Sequence, residues 1–265
     1  MINNKELLVD TDGPVCTITI NRPEKLNALS PYCLQRLSET LGELAENNVV
    51  RSVIICGSGN KAFSSGYDIT ALSTNTSTNR TAPLADHPLD QAIRSIVSFP
   101  YPVIAMISGY AYGAGCTLAL SCDIRIAAKN ARMGMHAAKR GIVPHLDELG
   151  LFLKVIGFSH ALEMLQTGRT YDSQRCFDMG LVNYMVEDDQ LRSFTNELAS
   201  ELAENAPLSL RGTKLILNKI HQFQALPEEI VREAHELQIE SINSEDKKES
   251  IRAFKEKRKP KFQGC

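Results

Sequence analysis

The chain has 265 residues, of which 43% are hydrophobic and 23% charged, with a formal net charge of −2 at pH 7. This composition supports a large buried core and gives no indication of nucleic-acid binding. The N-terminus lacks the apolar core of a signal peptide, and no stretch approaches the roughly 18 apolar residues that span a bilayer, so we expect neither a leader nor a membrane anchor. The seven cysteines are scattered without a C-x-x-C pair, which predicts a reduced, cytoplasmic protein without a metal site or a disulfide framework.

The first half of the chain predicts strands that alternate with helices. Alternating apolar residues predict a strand at Val15–Ile20, and a second strand is predicted at 52–56. Ser30 followed by Pro31 predicts an N-cap and the first residue of an amphipathic helix. A helix at 89–97 and strands at 103–107 and 124–128 follow, and the Ser-, Thr- and Asn-rich residues 72–86 predict a surface loop that gates a site.

The second half of the chain is almost wholly helical in pattern. Apolar residues form a stripe between residues 191 and 202, and Pro207 and Pro227 each open a further helix. The last helix is predicted near residues 244–259. The whole pattern predicts an α/β core with parallel strands over residues 1–200, followed by a helical C-terminal region over residues 201–265.

The most informative segment is the small-residue turn Gly113-Ala114-Gly115. It lies between a β-branched strand and an apolar helical segment. The free N–H groups and the dipole of a helix N-terminus favour negative charge, and small residues let a ligand oxygen approach the backbone. A tight packing turn between strand and helix explains the same residues equally well.

A second loop of similar character, residues 63–68, follows the strand at 52–56. If adjacent parallel strands bring both turns to one edge, two backbone N–H groups converge on a single oxygen. Such a pair stabilises a developing oxyanion by about 3–4 kcal/mol per donor. Such a site suits a thioester carbonyl that becomes an enolate, or a tetrahedral adduct.

Five blocks in the correct order now carry a resemblance to a known family: residues 21–30, 61–69, 109–123, 141–144 and 254–260. Over nearly its whole length the chain resembles the crotonase (enoyl-CoA hydratase/isomerase) superfamily. Among its members, the methylmalonyl-CoA decarboxylases look most similar at residues 86–89, 141–145 and 256–264.

The resemblance implies a spiral core of ββα turns and a helical C-terminal region that packs between subunits, in a homotrimer or a hexamer of two trimers. It implies an acyl-CoA substrate and no cofactor beyond the coenzyme A of that substrate. It also implies that the N–H groups of Tyr67 and Ala114 form the oxyanion hole.

The resemblance further implies which residues bind coenzyme A. Phe254 and Lys257 would do so in the site of the same or a neighbouring subunit. The residues that match these positions are Lys25, Leu26, Ala62, Ser64, Phe254 and Lys257. Lys257 belongs to a basic cluster at the C-terminus that suits phosphates, although a solvated helix end explains most of that cluster equally well.

The chain departs from the family at the two hydratase glutamates. The first lies three residues after Ala114, where this chain has Thr117, and the second lies twenty residues later, where it has Ala137. The lysine usual after the second loop is replaced by Thr70. An alanine transfers no proton and threonine is a poor substitute, so we do not expect a two-glutamate hydration.

His145 directly follows Pro144, at a position where other members of the superfamily have a catalytic side chain. A histidine there can donate or accept a proton, or bind a carboxylate, near neutral pH. Asp147 and Glu148 follow within one turn and could supply or orient an acid–base group. Polar packing for His145 and simple N-terminal helix carboxylates for the other two are the alternatives.

Three functions stay open from the sequence. The first is a lyase that forms a thioester enolate by decarboxylating a malonyl-type acyl-CoA, because loss of CO₂ needs no base. The second is an atypical hydratase, isomerase or C–C hydrolase that uses His145 with Asp147 or Glu148. The third is a non-catalytic CoA-binding protein that kept the fold.

Overall fold

The computed structural model describes residues 6–47, 49–68, 87–222 and 227–263. The predicted loop at residues 72–86 lies outside the described residues. The strands are β1 Leu7–Asp12, β2 Val15–Ile20, β3 Ser52–Gly57, β4 Ala62–Ser64, β5 Val103–Ile107, β6 Tyr110–Tyr112, β7 Ile124–Ala128, β8 Arg132–Gly134, β9 Tyr171–Asp172 and β10 Tyr184–Val186. The α-helices are α1 Pro31–Asn47, α2 Pro88–Ser98, α3 Ala114–Ser121, α4 Leu146–Thr167, α5 Ser173–Asp178, α6 Leu191–Glu204, α7 Pro207–Gln222, α8 Glu228–Asn243 and α9 Glu245–Lys255.

The strands form two sheets. The larger sheet has the order β1-β2-β3-β5-β7-β10, and the smaller one has the order β4-β6-β8-β9. Only the pairs β1–β2 and β8–β9 are antiparallel. The predicted α/β architecture with parallel strands is therefore confirmed.

The chain passes repeatedly from the larger sheet to the smaller one and then into a helix. The three successive units are β3-β4-α2, β5-β6-α3 and β7-β8-α4. This is the predicted spiral of ββα turns. Because β4, β6 and β8 are neighbours in one sheet, the loops that follow them lie side by side.

The larger sheet is covered on both faces, as expected for parallel strands. Val53 and Ile55 of β3 belong to one apolar cluster with residues of α1 and α2, whereas Ile54 and Cys56 belong to a second cluster with Leu191 of α6. Residue 200, the predicted domain boundary, lies inside α6. Since α6 packs on the sheet, that helix belongs to the core through its end at residue 204.

Local sequence signals set several helix ends. Ser30 Oγ accepts a hydrogen bond of 3.0 Å from the Cys33 N–H, which confirms the predicted N-cap of α1. The Asp172 carboxylate accepts the Arg175 N–H at 2.8 Å and caps α5 in the same way. Inside α4, Gly157 has φ of 70° and interrupts the helical conformation.

The six described cysteines are buried and free of disulfides. Burial raises the pKa of the Cys33 thiol to about 12 and also raises the pKa of the Cys116 thiol beside the glycine-rich turn. These thiols pack as small apolar groups. Among the described helices, none is long and apolar enough to cross a membrane.

The helical C-terminal region leaves a row of apolar side chains exposed on α7. Leu208 is 82% exposed, and its helix also exposes Leu215, Ile216, Leu217 and Ile220. On the same helix, Lys214 Nζ donates to the carbonyl of Tyr101 at 3.0 Å and contacts the Asp123 carboxylate at 2.6 Å, which ties the helix to the core. The predicted trimer or hexamer stays a prediction.

Candidate active site

The two glycine-containing turns meet at their backbones. A Cβ placed on Gly115 would lie 2.5 Å from the carbonyl oxygen of Ser64, and one on Gly66 would lie 2.7 Å from the carbonyl oxygen of Tyr112. The parallel pairing of β4 with β6 produces this approach, because both turns follow strands of the same sheet. Only glycine permits backbones to come so close.

The N–H groups predicted for the oxyanion hole both lie at these turns. Ala114 is the first residue of α3, where N–H groups have no partner within a helix. Tyr67 forms a parallel bridge with Leu29, in which the N–H of Leu29 donates to Gly66 and that of Asp68 donates to Leu29. Since successive N–H groups of an extended chain point to opposite sides, the Tyr67 N–H points away from Leu29.

Thr117, at the position of the first family glutamate, contacts a carboxyl group that comes from another helix. Its hydroxyl donates a hydrogen bond of 2.7 Å to Glu148 Oε2, and both side chains are buried. The other oxygen of Glu148 accepts the backbone N–H of His145 at 3.4 Å, at the start of α4. A carboxyl group is thereby present beside Thr117.

The environment of Glu148 favours its protonated form. Burial raises the pKa of this carboxyl group, and the hydrogen bond from Thr117 and the charge of His145 offset only part of that effect. Asp147, the neighbouring candidate, is instead at the surface, with its carboxylate 3.9 Å from Arg94. Of the two predicted carboxylates, the structure brings Glu148 and not Asp147 to Thr117.

The imidazole of His145 faces a carboxylate that the sequence analysis did not select. His145 Nδ1 lies 3.2 Å from Asp90 Oδ2, and the Asp90 side chain is only 3% exposed. Burial lowers the pKa of His145, but the contact with Asp90 and the charges of Asp90, Glu148 and Asp147 outweigh it, so the pKa is raised. The contact with Asp90 thus favours the imidazolium form of His145.

The ring of His87 adjoins both His145 and Tyr67. The His87 ring lies 5.6 Å from that of His145 and 5.4 Å from the Tyr67 phenol, measured between centroids. Burial lowers the pKa of His87, and it raises that of Tyr67. Beside the Tyr67 turn, burial thus favours the neutral forms of His87 and Tyr67, whereas Asp90 favours the charged form of His145.

Sequence reasoning missed Asp90 and His87, although one signal was present. Asp90 lies three residues before Ile93 on the buried face of α2, and a carboxylate on the apolar face of an amphipathic helix needs a partner. His87 caps the same helix, since its Nδ1 accepts the Leu89 N–H at 3.3 Å.

The predicted coenzyme A residues of the N-terminal half lie close to the second turn. Lys25 Nζ contacts the Asp68 carboxylate at 3.2 Å, and the buried Arg22 contacts the same oxygen at 2.6 Å. Leu26 is in the left-handed conformation, and its carbonyl accepts the Ser65 N–H. These contacts join the 22–26 segment to the turn that carries Tyr67.

Ala62 and Ser64, also predicted to bind coenzyme A, belong to β4 and have buried side chains. The carbonyl of Ala62 accepts the Asn27 amide at 2.7 Å, and Ser64 Oγ accepts the Gly66 N–H at 3.2 Å. Because both side chains are buried, a ligand would meet these two residues through their backbone.

Phe254 and Lys257 lie at the end of α9, where Phe254 is 67% exposed and Lys257 has φ of 53°. The Glu249 carboxylate folds the following chain back onto the helix. It contacts the Arg258 guanidinium at 2.5 and 3.1 Å and accepts the Lys261 N–H at 3.0 Å. The hydrogen bonds from Arg258 and Lys261 lower the pKa of Glu249 to about 2. The part of Phe254 and Lys257 in coenzyme A binding stays a prediction.

Among the residues the structure describes, no cluster of histidine, cysteine and acidic side chains forms that could hold a metal ion. The polar groups that the structure brings to this region are the backbone N–H groups of the two turns, the Glu148 carboxyl and the His145 imidazole. This set can stabilise an oxyanion, hold an anionic group and deliver one proton.

Comparison with known proteins matches residues 10–265 to the family Enoyl-CoA hydratase/isomerase. Short-chain-enoyl-CoA hydratase of Clostridium acetobutylicum is 32% identical over 259 residues, and methylmalonyl-CoA decarboxylase of Escherichia coli is 31% identical over 256 residues, each alignment covering 97% of both chains. A solved structure of methylmalonyl CoA decarboxylase complexed with 2S-carboxypropyl CoA has a TM-score of 0.91 at 30% identity, with both chains fully covered. The fold is the crotonase fold. The chain belongs to the enoyl-CoA hydratase/isomerase family.

Proposed function

We propose that this protein decarboxylates a malonyl-type acyl-CoA, through an enolate held by the N–H groups of Tyr67 and Ala114. One observation carries the proposal: among the described residues, Thr117 contacts one carboxyl group, that of Glu148, whereas a hydratase of this family uses two glutamates. Hydration needs one group to activate water and another to deliver a proton. An enolate formed by loss of CO₂ needs only the proton.

The reaction requires few groups. The bond between the α-carbon and the carboxylate breaks, CO₂ leaves, and the electron pair forms the enolate whose oxygen carries the negative charge. The two N–H groups stabilise that oxygen. The protonated Glu148 then donates a proton to the α-carbon, with Thr117 fixing the orientation of its carboxyl group.

The ion pair of His145 supplies the place for the departing carboxylate. An imidazolium binds a carboxylate by a charge-assisted hydrogen bond, and Nε2 can donate it while Nδ1 faces Asp90, since no described residue hydrogen-bonds to Nε2. Support also comes from the structural similarity to a methylmalonyl CoA decarboxylase solved with 2S-carboxypropyl CoA.

The direct test is incubation of the purified protein with malonyl-CoA, methylmalonyl-CoA, crotonyl-CoA and cyclic acyl-CoAs, followed by mass spectrometry and CO₂ detection. We expect CO₂ and the shortened acyl-CoA from a malonyl-type ester, and no hydration of crotonyl-CoA. Turnover of another acyl-CoA without release of CO₂ would refute decarboxylation. Binding without any turnover would indicate a CoA-binding protein instead.

A second candidate is an atypical hydratase, isomerase or C–C hydrolase in which His145 acts as the acid–base group. The contact between His145 and Asp90 favours it, because a carboxylate commonly orients a working histidine. In this candidate the partner of His145 is Asp90, whereas the sequence predicted Asp147 or Glu148. This function requires that His145→Ala abolishes turnover of an unsaturated or β-keto acyl-CoA.

A further inference from the structure

Two histidines and one aspartate form a compact group beside the Tyr67 turn. The Asp90 carboxylate lies 3.2 Å from His145 Nδ1, and the rings of His87 and His145 are 5.6 Å apart. Two imidazolium ions at that separation repel each other, and burial of the group strengthens the repulsion. This repulsion disfavours a second positive charge, so the pair holds at most one at neutral pH.

The geometry of His87 opposes a charge on that ring. His87 is the N-cap residue of α2, and its Nδ1 accepts the N–H of Leu89. Because a nitrogen that accepts this bond carries no proton, the neutral His87 ring carries its one proton on Nε2. A doubly protonated His87 has no acceptor and would break the cap. A cation is also disfavoured by the positive end of the helix dipole.

His145 is likewise at a helix N-terminus, since it is the N-cap residue of α4. The dipole disfavours a cation there too. Asp90 distinguishes the two rings. Its Oδ2 is buried and makes no hydrogen bond among the described residues. The ion pair with His145 Nδ1 is therefore the only polar contact of Oδ2 within that part of the chain. A buried carboxylate without a cation is costly, so this contact fixes the charge on one ring.

We propose that Asp90 is a positioning residue that places the single positive charge of the histidine pair on His145 and leaves His87 as a neutral Nε2–H donor. The acyl pocket then offers one cation and one neutral donor to its ligand. Recognition of a substrate carboxylate by that cation rests on the proposed function. The placement of the charge does not.

The surroundings of His145 are consistent with this assignment. From α2 it faces Asp90, while Arg94 of the same helix is engaged by Asp147. From its own helix it receives the charges of Asp147 and Glu148, and His87 adjoins it from the start of α2. These groups together raise the pKa of His145, whereas burial lowers that of His87.

The test is an NMR titration of both histidines in the full-length protein labelled at its histidine rings. Asp90→Asn keeps the shape of the side chain and removes its charge, and we expect the pKa of His145 to fall below the ordinary value of about 6.5. Asp147→Asn is the matched control, since it removes an exposed carboxylate from the same surroundings and shifts His145 less. An unchanged His145 in Asp90→Asn would overturn the proposal.

A second variant keeps the proposal testable if Asp90→Asn does not fold. His145→Asn retains an N-cap residue for α4 and leaves Asp90 beside His87 alone. We expect the pKa of His87 to rise in this variant, because the charge loses its preferred site. If His87 titrates as in the unmodified protein, Asp90 does not govern where the charge lies.

Substrate binding separates positioning from a merely structural role. In Asp90→Asn we expect the KM for a carboxyacyl-CoA to rise about tenfold, with the dissociation constant for propionyl-CoA unchanged. The pH at which carboxyacyl-CoA binding is lost should move down with the pKa of His145. Equal weakening for both ligands would contradict charge recognition. If no carboxyacyl-CoA is decarboxylated at all, the proposed function fails while the titration still decides the place of the charge.

Discussion

Thr117 and Glu148 are joined by a 2.7 Å hydrogen bond that links α3 to the first turn of α4 across 31 residues of chain. The family places a glutamate on α3 itself, three residues after the oxyanion-hole position. In this chain the hydroxyl group stays on α3 while the carboxyl group comes from α4. The two helices must therefore stay packed for the acid to reach the same location.

Thr117→Val removes the hydroxyl group without changing the shape of the side chain. The Glu148 carboxyl group then loses its partner, and we expect turnover to fall about 10²-fold, in the range typical of acid catalysis. Thr195→Val is the control, because Thr195 is also fully buried and donates at 2.7 Å to a helical carbonyl, that of Leu191. Both variants should lose about 1 kcal/mol of unfolding free energy, and only Thr117→Val should lose activity. Equal activities would contradict a role for the hydroxyl.

Glu148 makes the stability of the protein depend on pH. Its pKa in the folded protein is raised above the unfolded value of about 4.3, so its contribution is fully present below that pH and is lost as the pH rises through the folded pKa. In Glu148→Gln the site carries no charge at any pH. Urea unfolding between pH 4 and 9 should therefore show the unmodified protein losing stability relative to Glu148→Gln as the pH rises. A constant difference would show that burial does not disfavour the carboxylate.

Ala114→Pro removes the N–H proposed for the oxyanion hole. Proline is tolerated at the first residue of a helix, so α3 should persist while kcat falls about 10²–10³-fold. Glu245→Pro makes the same substitution at the first residue of α9 and should leave turnover unaffected. Circular dichroism and steady-state kinetics decide the outcome. Full activity in Ala114→Pro would exclude this N–H from the reaction.

Gly115→Ala tests the contact between the two turns. The new Cβ would lie 2.5 Å from the Ser64 carbonyl oxygen, and relief of that contact forces the turns apart. We expect a loss of about 1–3 kcal/mol of stability together with most of the activity. Gly42→Ala in α1 is the control, since its Cβ meets no atom within 4 Å and alanine favours a helix. The thermal unfolding midpoint should fall in Gly115→Ala and rise in Gly42→Ala.

Lys25→Met tests the predicted contact with the nucleotide end of coenzyme A. The Asp68 carboxylate keeps Arg22 as a partner at 2.6 Å, so the turn should remain in place. We expect the KM for an acyl-CoA to rise about tenfold and the KM for the corresponding acyl-pantetheine to stay constant. Lys129→Met, which removes a surface lysine paired with Glu187, serves as the control. An equal change for both thioesters would place Lys25 away from the nucleotide.

The close approach of the glycine turns, the cap at Ser30 and the spiral of ββα units could be predicted from the sequence. Each depends on residues close in the chain, or on the order of blocks along it. The choice between Asp147 and Glu148 could not be made. Consecutive residues of a helix point about 100° apart, and only the packing of α4 against α3 decides which of them faces Thr117.

The role of Asp90 was beyond the sequence for a related reason. Its partner His145 is 55 residues away, on a helix whose position depends on the whole spiral. Several short strands were also missed, among them Ala62–Ser64 and Tyr110–Tyr112. Three residues give too little alternation to be recognised, although these strands bring the two turns together.

Asp68 follows Tyr67 directly, and its carboxylate is held by Arg22 and by Lys25 at once. A phosphate that attracts Lys25 takes away one of two cations, and the buried Arg22 continues to neutralise the carboxylate. The backbone at Tyr67 thus stays anchored whether or not the nucleotide is bound. Binding of the nucleotide by Lys25 is thus separate from positioning of the thioester by the Tyr67 backbone. Variants that weaken nucleotide binding need not disturb the position of the thioester.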